Sequence, residues 1–198
     1  MEDLYVGNDL HSSKSYIGIM NMKSERIMSR RLSNDKEKIL MALRPFKEQI
    51  RGIAVESTYN WYWLVDALMS EDYRVHLGNP AAFQQYKGLK YANDKQDTFW
   101  LARMLSLGLL PEGYIYPKAE RGLRDLLRRR SQLVRQRTAL KISLQQICCN
   151  QTGTQLSNNF IEQMDDKNIA EIFKEKDWQM NGESLFSTLE FIKKEIEK

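Results

Sequence analysis

Residues 4–10 read Leu-Tyr-Val-Gly-Asn-Asp-Leu, a strand-like run interrupted by the acidic side chain of Asp9. Residues 50–56 read Ile-Arg-Gly-Ile-Ala-Val-Glu, and Glu56 closes this second apolar run. A carboxylate at the end of a buried strand is costly unless it is paired, hydrogen-bonded or bound to a metal ion. The two stretches therefore predict strands of one sheet whose ends carry carboxylates that need a binding partner.

The chain around these stretches predicts an α/β order. Short, partly alternating apolar runs separated by polar breaks are typical of strands, and apolar residues three and four apart are typical of helices. The predicted strands cover 4–10, 15–21, 26–33, 50–56 and 74–77, and the predicted helices cover 35–44, a segment from Asn60, and 94–107. This order favours a ribonuclease H-like (RuvC-like) fold, a mixed five-stranded sheet with flanking helices.

A break with two prolines, residues 108–117, separates this part from a helical segment. We place the domains at 1–112 and 113–198. A long helix is predicted over 119–149, because Leu126, Leu133, Leu140 and Ile147 recur at intervals of seven and form one coiled-coil seam. Two shorter helical patterns follow, near 157–175 and 182–197.

Two further acids, Asp94 and Asp97, lie one helical turn apart at the start of the third predicted helix. With Asp9 and Glu56 they make four oxygen ligands without His or Cys, a set that suits Mg²⁺ or Mn²⁺. Such clusters commonly serve phosphoryl transfer on nucleic acid. Singly, each acid has a simpler interpretation, as a helix cap, a first-turn acid or a surface strand end.

Basic residues are concentrated in one stretch. Residues 118–141 hold nine Lys or Arg and only two acids, a local charge of +7 within a net charge of +4. Such a stripe indicates a polyanionic partner, although it could also be a solvated helix face. The candidate nucleic-acid contacts are Arg121, Arg124, Arg128, Arg129, Arg135 and Lys141, together with Lys87 and Lys90, which alternate with tyrosines before Asp94.

Composition excludes several classes of protein. The 42% hydrophobic content supports a core, no apolar run is long enough to span a membrane, and the N-terminus lacks signal-peptide character. The only cysteines, Cys148 and Cys149, are adjacent and do not form a disulfide framework. We expect a protein of the bacterial cytoplasm.

The motifs resemble those of the DEDD-motif insertion-sequence transposases, a family that includes the Piv invertase and the bridge-RNA-guided recombinases. Four blocks carry the resemblance in order and spacing: Gly7-Asn8-Asp9-Leu10-His11, Val55-Glu56-Ser57-Thr58 with the aromatic run after it, Asn79-Pro80, and Asn93-Asp94-Lys95-Gln96-Asp97 with Leu101-Ala102. An Arg-rich helix over 123–144 is similar to the family's as well. Asn8 departs from the pattern, which has an apolar residue there.

The resemblance implies a Mg²⁺-dependent DNA transposase or recombinase in which Asp9, Glu56, Asp94 and Asp97 hold the metal. It also implies a guide (bridge) RNA, and a homodimer or tetramer formed through the long helix. The family continues into a C-terminal domain with a nucleophilic serine, which nothing after residue 150 resembles, so we expect a truncated form that is incomplete alone. Two alternatives stay open: a RuvC-like Holliday-junction nuclease, and a non-catalytic RNA- or DNA-binding and dimerisation module.

His11 lies two residues after Asp9 on the same face of the predicted strand. It could touch the metal or a substrate phosphate, or it could be a polar neighbour of Asp9.

Overall fold

The computed structural model describes residues 2–58, 60–83 and 94–198. Within α3 (defined below), the side chains of residues 94 and 95 lie outside the described part. The chain divides into two compact units, Met1–Ile115 and Tyr116–Lys198. Their assignment as a catalytic domain and a helical arm stays a prediction.

The first unit is built on a five-stranded mixed sheet. Its strands are β1 (Leu4–Leu10), β2 (Lys14–Asn21), β3 (Arg26–Ser33), β4 (Ile50–Glu56) and β5 (Val75–Gly78). They lie in the order β3-β2-β1-β4-β5. The first three strands are antiparallel neighbours, whereas β4 is parallel to both β1 and β5. This order and these directions are those of the ribonuclease H-like sheet, so the fold prediction is confirmed.

Three helices flank this sheet: α1 (Lys36–Leu43), α2 (Tyr62–Ser70) and α3 (Asp94–Ser106). Asp35 caps α1, since its side chain accepts hydrogen bonds from the backbone N–H groups of Glu37 and Lys38. Pro45 opens a 3₁₀ helix, Arg44–Gln49, that leads into β4. The helix predicted from Asn60 begins two residues later, at Tyr62.

The two faces of the sheet are covered by different helices. Side chains alternate along a strand, so Leu4, Val6 and Leu10 of β1 share one face and are buried with residues of α1 and α2. The other face of the same strand carries Tyr5, Gly7 and Asp9. Tyr5 packs there against buried residues of α3. Burial on both faces explains why β1 and β4 read as nearly continuous apolar runs.

Helix α3 contacts the sheet with almost no space between the two backbones. Gly7 and Gly18 are directly paired across β1 and β2. A Cβ atom on Gly7 would lie 1.8 Å from the backbone oxygen of Thr98, and one on Gly18 would lie 2.6 Å from the Thr98 hydroxyl oxygen. Because Thr98 is buried above this glycine pair, any side chain at position 7 would push the helix away from β1.

The second unit is helical. It contains a short 3₁₀ turn, Lys118–Glu120, followed by α4 (Arg121–Thr152), α5 (Asn158–Gln163), α6 (Asp166–Ile172) and α7 (Lys176–Glu197). Helix α4 has 32 residues and ends at Gly153, whose φ of +69° suits a residue without a side chain. Its carboxyl-terminal half forms a core with the three later helices, centred on Leu144, Ile161, Ile169 and Phe173.

The heptad seam of α4 is used unevenly. Leu133 is buried and Ile147 packs against the core of the second unit, whereas Leu126 is 66% exposed. Leu123 and Leu127 are also exposed. The seam is therefore covered near its end and open at its beginning.

The tail differs in detail from the sequence prediction. The helix predicted near 157–175 is broken into α5 and α6, because Asp165 and Asn168 form a capping box that starts a new helix. The last helix begins at Lys176, earlier than predicted.

An ion cluster links α4, α5 and α7. The Glu162 carboxylate contacts both the Lys141 and the Lys193 ammonium groups, and Lys193 also contacts Glu190. The hydrogen bonds from the two lysines lower the pKa of Glu162. The charges therefore help to hold these helices together above the ordinary pKa of a glutamate, and this contribution is lost as acid protonates Glu162.

The contact between Gly7 and Thr98 gives a first prediction. We expect Gly7→Ala to lower the free energy of unfolding by about 3 kcal/mol, since the added methyl group cannot fit against a backbone oxygen. Chemical denaturation measures the change. Gly113→Ala is the matched control, because its Cβ would meet its nearest neighbour at 3.6 Å, an ordinary contact distance. Equal stability of the two variants would contradict the packing described here.

Candidate nucleic-acid active site

Asp9 and Glu56 lie near the carboxyl ends of two neighbouring parallel strands. The register pairs Asn8 of β1 with Val55 of β4, so the two acids are the next residues on each strand. Parallel neighbours are about 4.8 Å apart in the backbone. Both acids lie on the face of α3, because residues two positions earlier do: Gly7 approaches Thr98, and Ala54 packs with Leu101.

Helix α3 runs antiparallel to these two strands. Thr98 lies over Gly7, while the later residue Leu105 approaches Gly52 near the start of β4. Residue 94 precedes Thr98 by four residues, about 6 Å along a helix. Asp9 follows Gly7 by two residues, about 6.6 Å along a strand. The first turn of α3 therefore begins at the same end of the sheet as the two strand acids.

The four predicted acids thus lie at the carboxyl ends of β1 and β4 and at the start of α3, on one side of the sheet. Asp97 is half-buried, and the side chain of Asp94 lies outside the described residues. Among the side chains that the structure describes, no three from His, Cys, Asp and Glu come close enough together to hold a metal ion. The shared metal site stays a prediction.

The carboxylate of Asp9 is held in place by a histidine. Asp9 is only 7% exposed, and the Nε2 atom of His11 lies 3.0 Å from its Oδ2 atom. With Nε2 protonated, His11 donates this hydrogen bond. The His11 ring meets Tyr16 edge-on at 5.4 Å between centroids, and Tyr16 is the cross-strand partner of Asp9. His11 is therefore a positioning neighbour of the acid.

Side chains from two loops fix the chain that leaves β1. Thr58 donates from its hydroxyl to the carbonyl oxygen of Leu10 at 3.1 Å. Asn60 and Asn34 both donate from their amides to the carbonyl oxygen of His11, at 3.1 and 2.8 Å. These bonds tie the segment after Glu56 to the end of the strand that carries Asp9. The sequence analysis did not assign this role to Asn34 or Asn60. The available signal was that Asn34 follows a strand and Asn60 precedes a helix, positions where polar side chains often bind the backbone.

The basic residues predicted to contact nucleic acid differ in whether the structure leaves them exposed. Lys87 and Lys90 lie outside the described residues. Arg121 is buried and donates from Nε to the carbonyl oxygen of Tyr116, and Lys141 is engaged by Glu162. These two side chains have structural partners within the second unit.

The remaining predicted arginines lie on the first half of α4. The guanidinium of Arg124 stacks on the Tyr116 ring at 4.8 Å, and Arg128, Arg129 and Arg135 are exposed. A groove along this half of the helix is lined by Tyr116, Leu123, Arg124, Leu127, Arg128 and Arg135, together with the acids Glu120 and Asp125. It combines cations, an aromatic ring and apolar side chains, a mixture that suits nucleic acid or another helix.

A ribonuclease H-like sheet with acids at the ends of its central strands defines a class of proteins that act on nucleic acids. The model of the IS110-type DEDD transposase family, described as "Transposase", matches residues 6–150. Since this match covers more than half of the chain, the protein belongs to that family of DNA transposases, and the resemblance in the motifs is confirmed.

Comparison with solved structures finds a chain of limited similarity. RuvC from T. thermophilus, solved in complex with a Holliday junction substrate, is 14% identical, with a TM-score of 0.42 over 56% of this chain and 99% of that one. No curated protein matches. Among the described helices, none has the length and apolar character needed to cross a bilayer.

Asn8 has an unusual position beside the site. It lies on the opposite face from Asp9, with Leu10 and Val6, and is almost wholly buried. Its Oδ1 atom has no hydrogen-bond partner among the described residues. A buried polar atom without a partner is destabilising. The departure from the family's apolar residue at this position is thus a cost that the fold carries.

We expect Asn8→Val to raise the free energy of unfolding by about 1–2 kcal/mol, because it removes a buried acceptor without a partner. Asn21→Val is the matched contrast. Asn21 is equally buried, but it donates to Glu2 and Glu25 and accepts from the backbone N–H of Glu25. That variant should lose about 1–3 kcal/mol. Chemical denaturation of both proteins decides, and a destabilised Asn8→Val variant would contradict the account.

Proposed function

We propose that this chain carries the metal-dependent catalytic centre of a DNA transposase that cleaves and rejoins DNA. Asp9, Glu56, Asp94 and Asp97 would bind Mg²⁺ or Mn²⁺. Membership of the DEDD transposase family supports the activity. The proposal depends on one observation above all, that Asp9 and Glu56 lie side by side on the face of the sheet where α3 begins.

The donor set fits a hard divalent cation, since all four groups are carboxylates. When bound, such a cation would neutralise charge on a DNA phosphate and orient it. Other residues of the chain hold the acids in position. His11 orients the Asp9 carboxylate, and Thr58 and Asn60 hold the segment after Glu56 against the end of β1. The close approach of α3 to Gly7 sets the height of its first turn above the sheet.

The resemblance to the family adds three further elements to the proposal. A serine outside the acidic centre would act as nucleophile. A guide RNA would be held in part by the basic first half of α4. Copies of the chain would associate as dimers or tetramers through the same helix, for which the exposed Leu123, Leu126 and Leu127 offer apolar contact area.

A metal titration tests the centre. We expect the protein to bind Mn²⁺, and Asp9→Asn and Glu56→Gln to weaken binding at least about tenfold, since even supporting residues of metal sites have effects of this size. Isothermal titration calorimetry and the electron paramagnetic resonance of free Mn²⁺ measure affinity. Asp72→Asn is the control, because Asp72 is exposed and its φ of +63° suits asparagine. Unchanged affinity in Asp9→Asn would remove the metal site.

Incubation with Mg²⁺ and a four-way DNA junction distinguishes the neighbouring hypotheses. A transposase centre that needs a serine from elsewhere should leave the junction intact. Efficient cleavage by this chain alone would favour the Holliday-junction nuclease. Absence of metal binding together with salt-dependent RNA affinity would favour the non-catalytic binding module.

The oligomer proposal has its own test. We expect the double variant Leu123→Gln/Leu126→Gln to shift the chain toward monomer in analytical ultracentrifugation, because it removes two exposed leucines from the beginning of α4. Ile142→Gln is the control, being a similarly apolar and exposed position further along the same helix. An unchanged sedimentation profile of the double variant beside an oligomeric parent would exclude this surface.

A further inference from the structure

The edge strand β3 carries an unexpected concentration of arginine. Arg26, Arg30 and Arg31 are all exposed, and β3 is the first strand of the sheet order, with β2 as its neighbour on one side. None of the three forms a salt bridge with a carboxylate among the residues that the structure describes. Charges that are not neutralised within the chain are available to an anionic partner.

Two of these arginines are held over aromatic rings. The Arg31 guanidinium lies 5.3 Å from the centroid of the Tyr16 ring, and that of Arg26 lies 4.4 Å from the centroid of Phe99 in α3. A guanidinium over a ring face is attracted to it and keeps its N–H groups free to bind outward. The two side chains are thereby ordered before any ligand arrives, which lowers the entropic cost of binding.

Both rings lie on the face of the sheet that α3 covers. Arg31 is paired with Tyr16, which is paired with Asp9 on the next strand, and Asp9 neighbours Glu56. Strands are spaced by about 4.8 Å, so the backbones of Arg31 and Asp9 are about 10 Å apart. Arg30 is different, because it is paired with Ile17 of the core beneath the other face.

The separation of the two stacked arginines suits a nucleic-acid strand. A bulge between Ile19 and Met20 changes the register, so that Arg26 is paired with Met20 and returns to the same face as Arg31. Their partners on β2 are four residues apart, about 13 Å. This span equals the axial rise of about four nucleotides of one DNA strand.

We propose that Arg26 and Arg31 form a phosphate-binding edge for the DNA strand on which the acidic centre acts. The inference rests on the proposed function, since it places the DNA strand along β3 from Arg26 to Arg31, where the backbone of Arg31 is about 10 Å from that of Asp9. Arginine contributes attraction to phosphate at a distance from the carboxylates, which by themselves would repel DNA. Tyr16 lies between Arg31 and Asp9 in the sheet, so it keeps the positive and the negative side chain apart.

Salt-dependent DNA binding by the full chain tests this edge. The probe is a fluorescein-labelled 20-base-pair DNA duplex, followed by anisotropy between low and physiological salt in EDTA. We expect Arg26→Gln and Arg31→Gln each to lower the slope of log affinity against log salt by about 0.9, the value for one lost phosphate contact, and the double variant by about twice that. Arg31→Lys should retain most of the slope, because it keeps the charge.

Arg30→Gln is the matched control, since it removes the same charge from the same strand on the other face. An effect of Arg30→Gln equal to that of Arg31→Gln would overturn the inference, as would an unchanged slope in the double variant. A loss confined to an RNA duplex of the same sequence would also overturn it. Circular dichroism and thermal unfolding of each variant identify a merely structural effect. Such an effect would lower stability and leave the salt slope unchanged. That outcome would contradict the phosphate-binding edge.

The same variants separate this inference from the proposed function. Mn²⁺ affinity should be unchanged in Arg26→Gln/Arg31→Gln, because neither side chain is a ligand. Normal metal binding with an unaltered DNA slope would reject the edge and leave the metal centre standing. Loss of the slope in a protein that binds no Mn²⁺ would support an anion-binding edge and reject the metal-dependent centre.

Discussion

The closeness of α3 to the paired glycines of β1 and β2 is the constraint on which the rest of the first unit depends. Gly7 and Gly18 leave room for the backbone of Thr98 to lie almost on the sheet. This contact sets both the height and the direction of α3, and its direction brings the first turn to the carboxyl ends of β1 and β4. A larger residue at either position would separate the helical acids from the strand acids, even though no acid would have changed.

Burial and polar support are divided between the two faces of the sheet. The face of α1 and α2 supplies the apolar core, and Asn8 is an exception there, since its buried oxygen has no partner among the described residues. The face of α3 combines apolar packing along the helix with polar groups at its open end. There Asp9 is oriented by His11, and the carbonyl oxygens of Leu10 and His11 are held by side chains from two loops. The Asp9 carboxylate is therefore ordered before any ligand arrives, which would lower the entropic cost of binding.

In the second unit only part of α4 is covered, because the helix is too polar to be buried on all sides. Its carboxyl-terminal half is covered by α5, α6 and α7 and is held to α5 and α7 by the charges around Glu162. Its amino-terminal half keeps leucines and arginines exposed. An apolar strip flanked by cations is suited to association with another surface.

The sequence by itself determined the order of strands and helices in the first unit, since the short apolar runs of β1 to β3 and the helical spacing after Asn34 are local signals. It also indicated the four candidate acids, because two carboxylates close apolar strands and two more lie one turn apart at the start of a predicted helix, and both patterns are visible without coordinates. Only the tertiary structure decided what lies beside them. Pairing of Tyr16 with Asp9 and of Arg31 with Tyr16, the two asparagines on the His11 carbonyl oxygen, and the division of the α4 seam all join residues distant in the chain. Periodicity reports which face of an element is apolar, but it carries no information on which distant residue that face will meet.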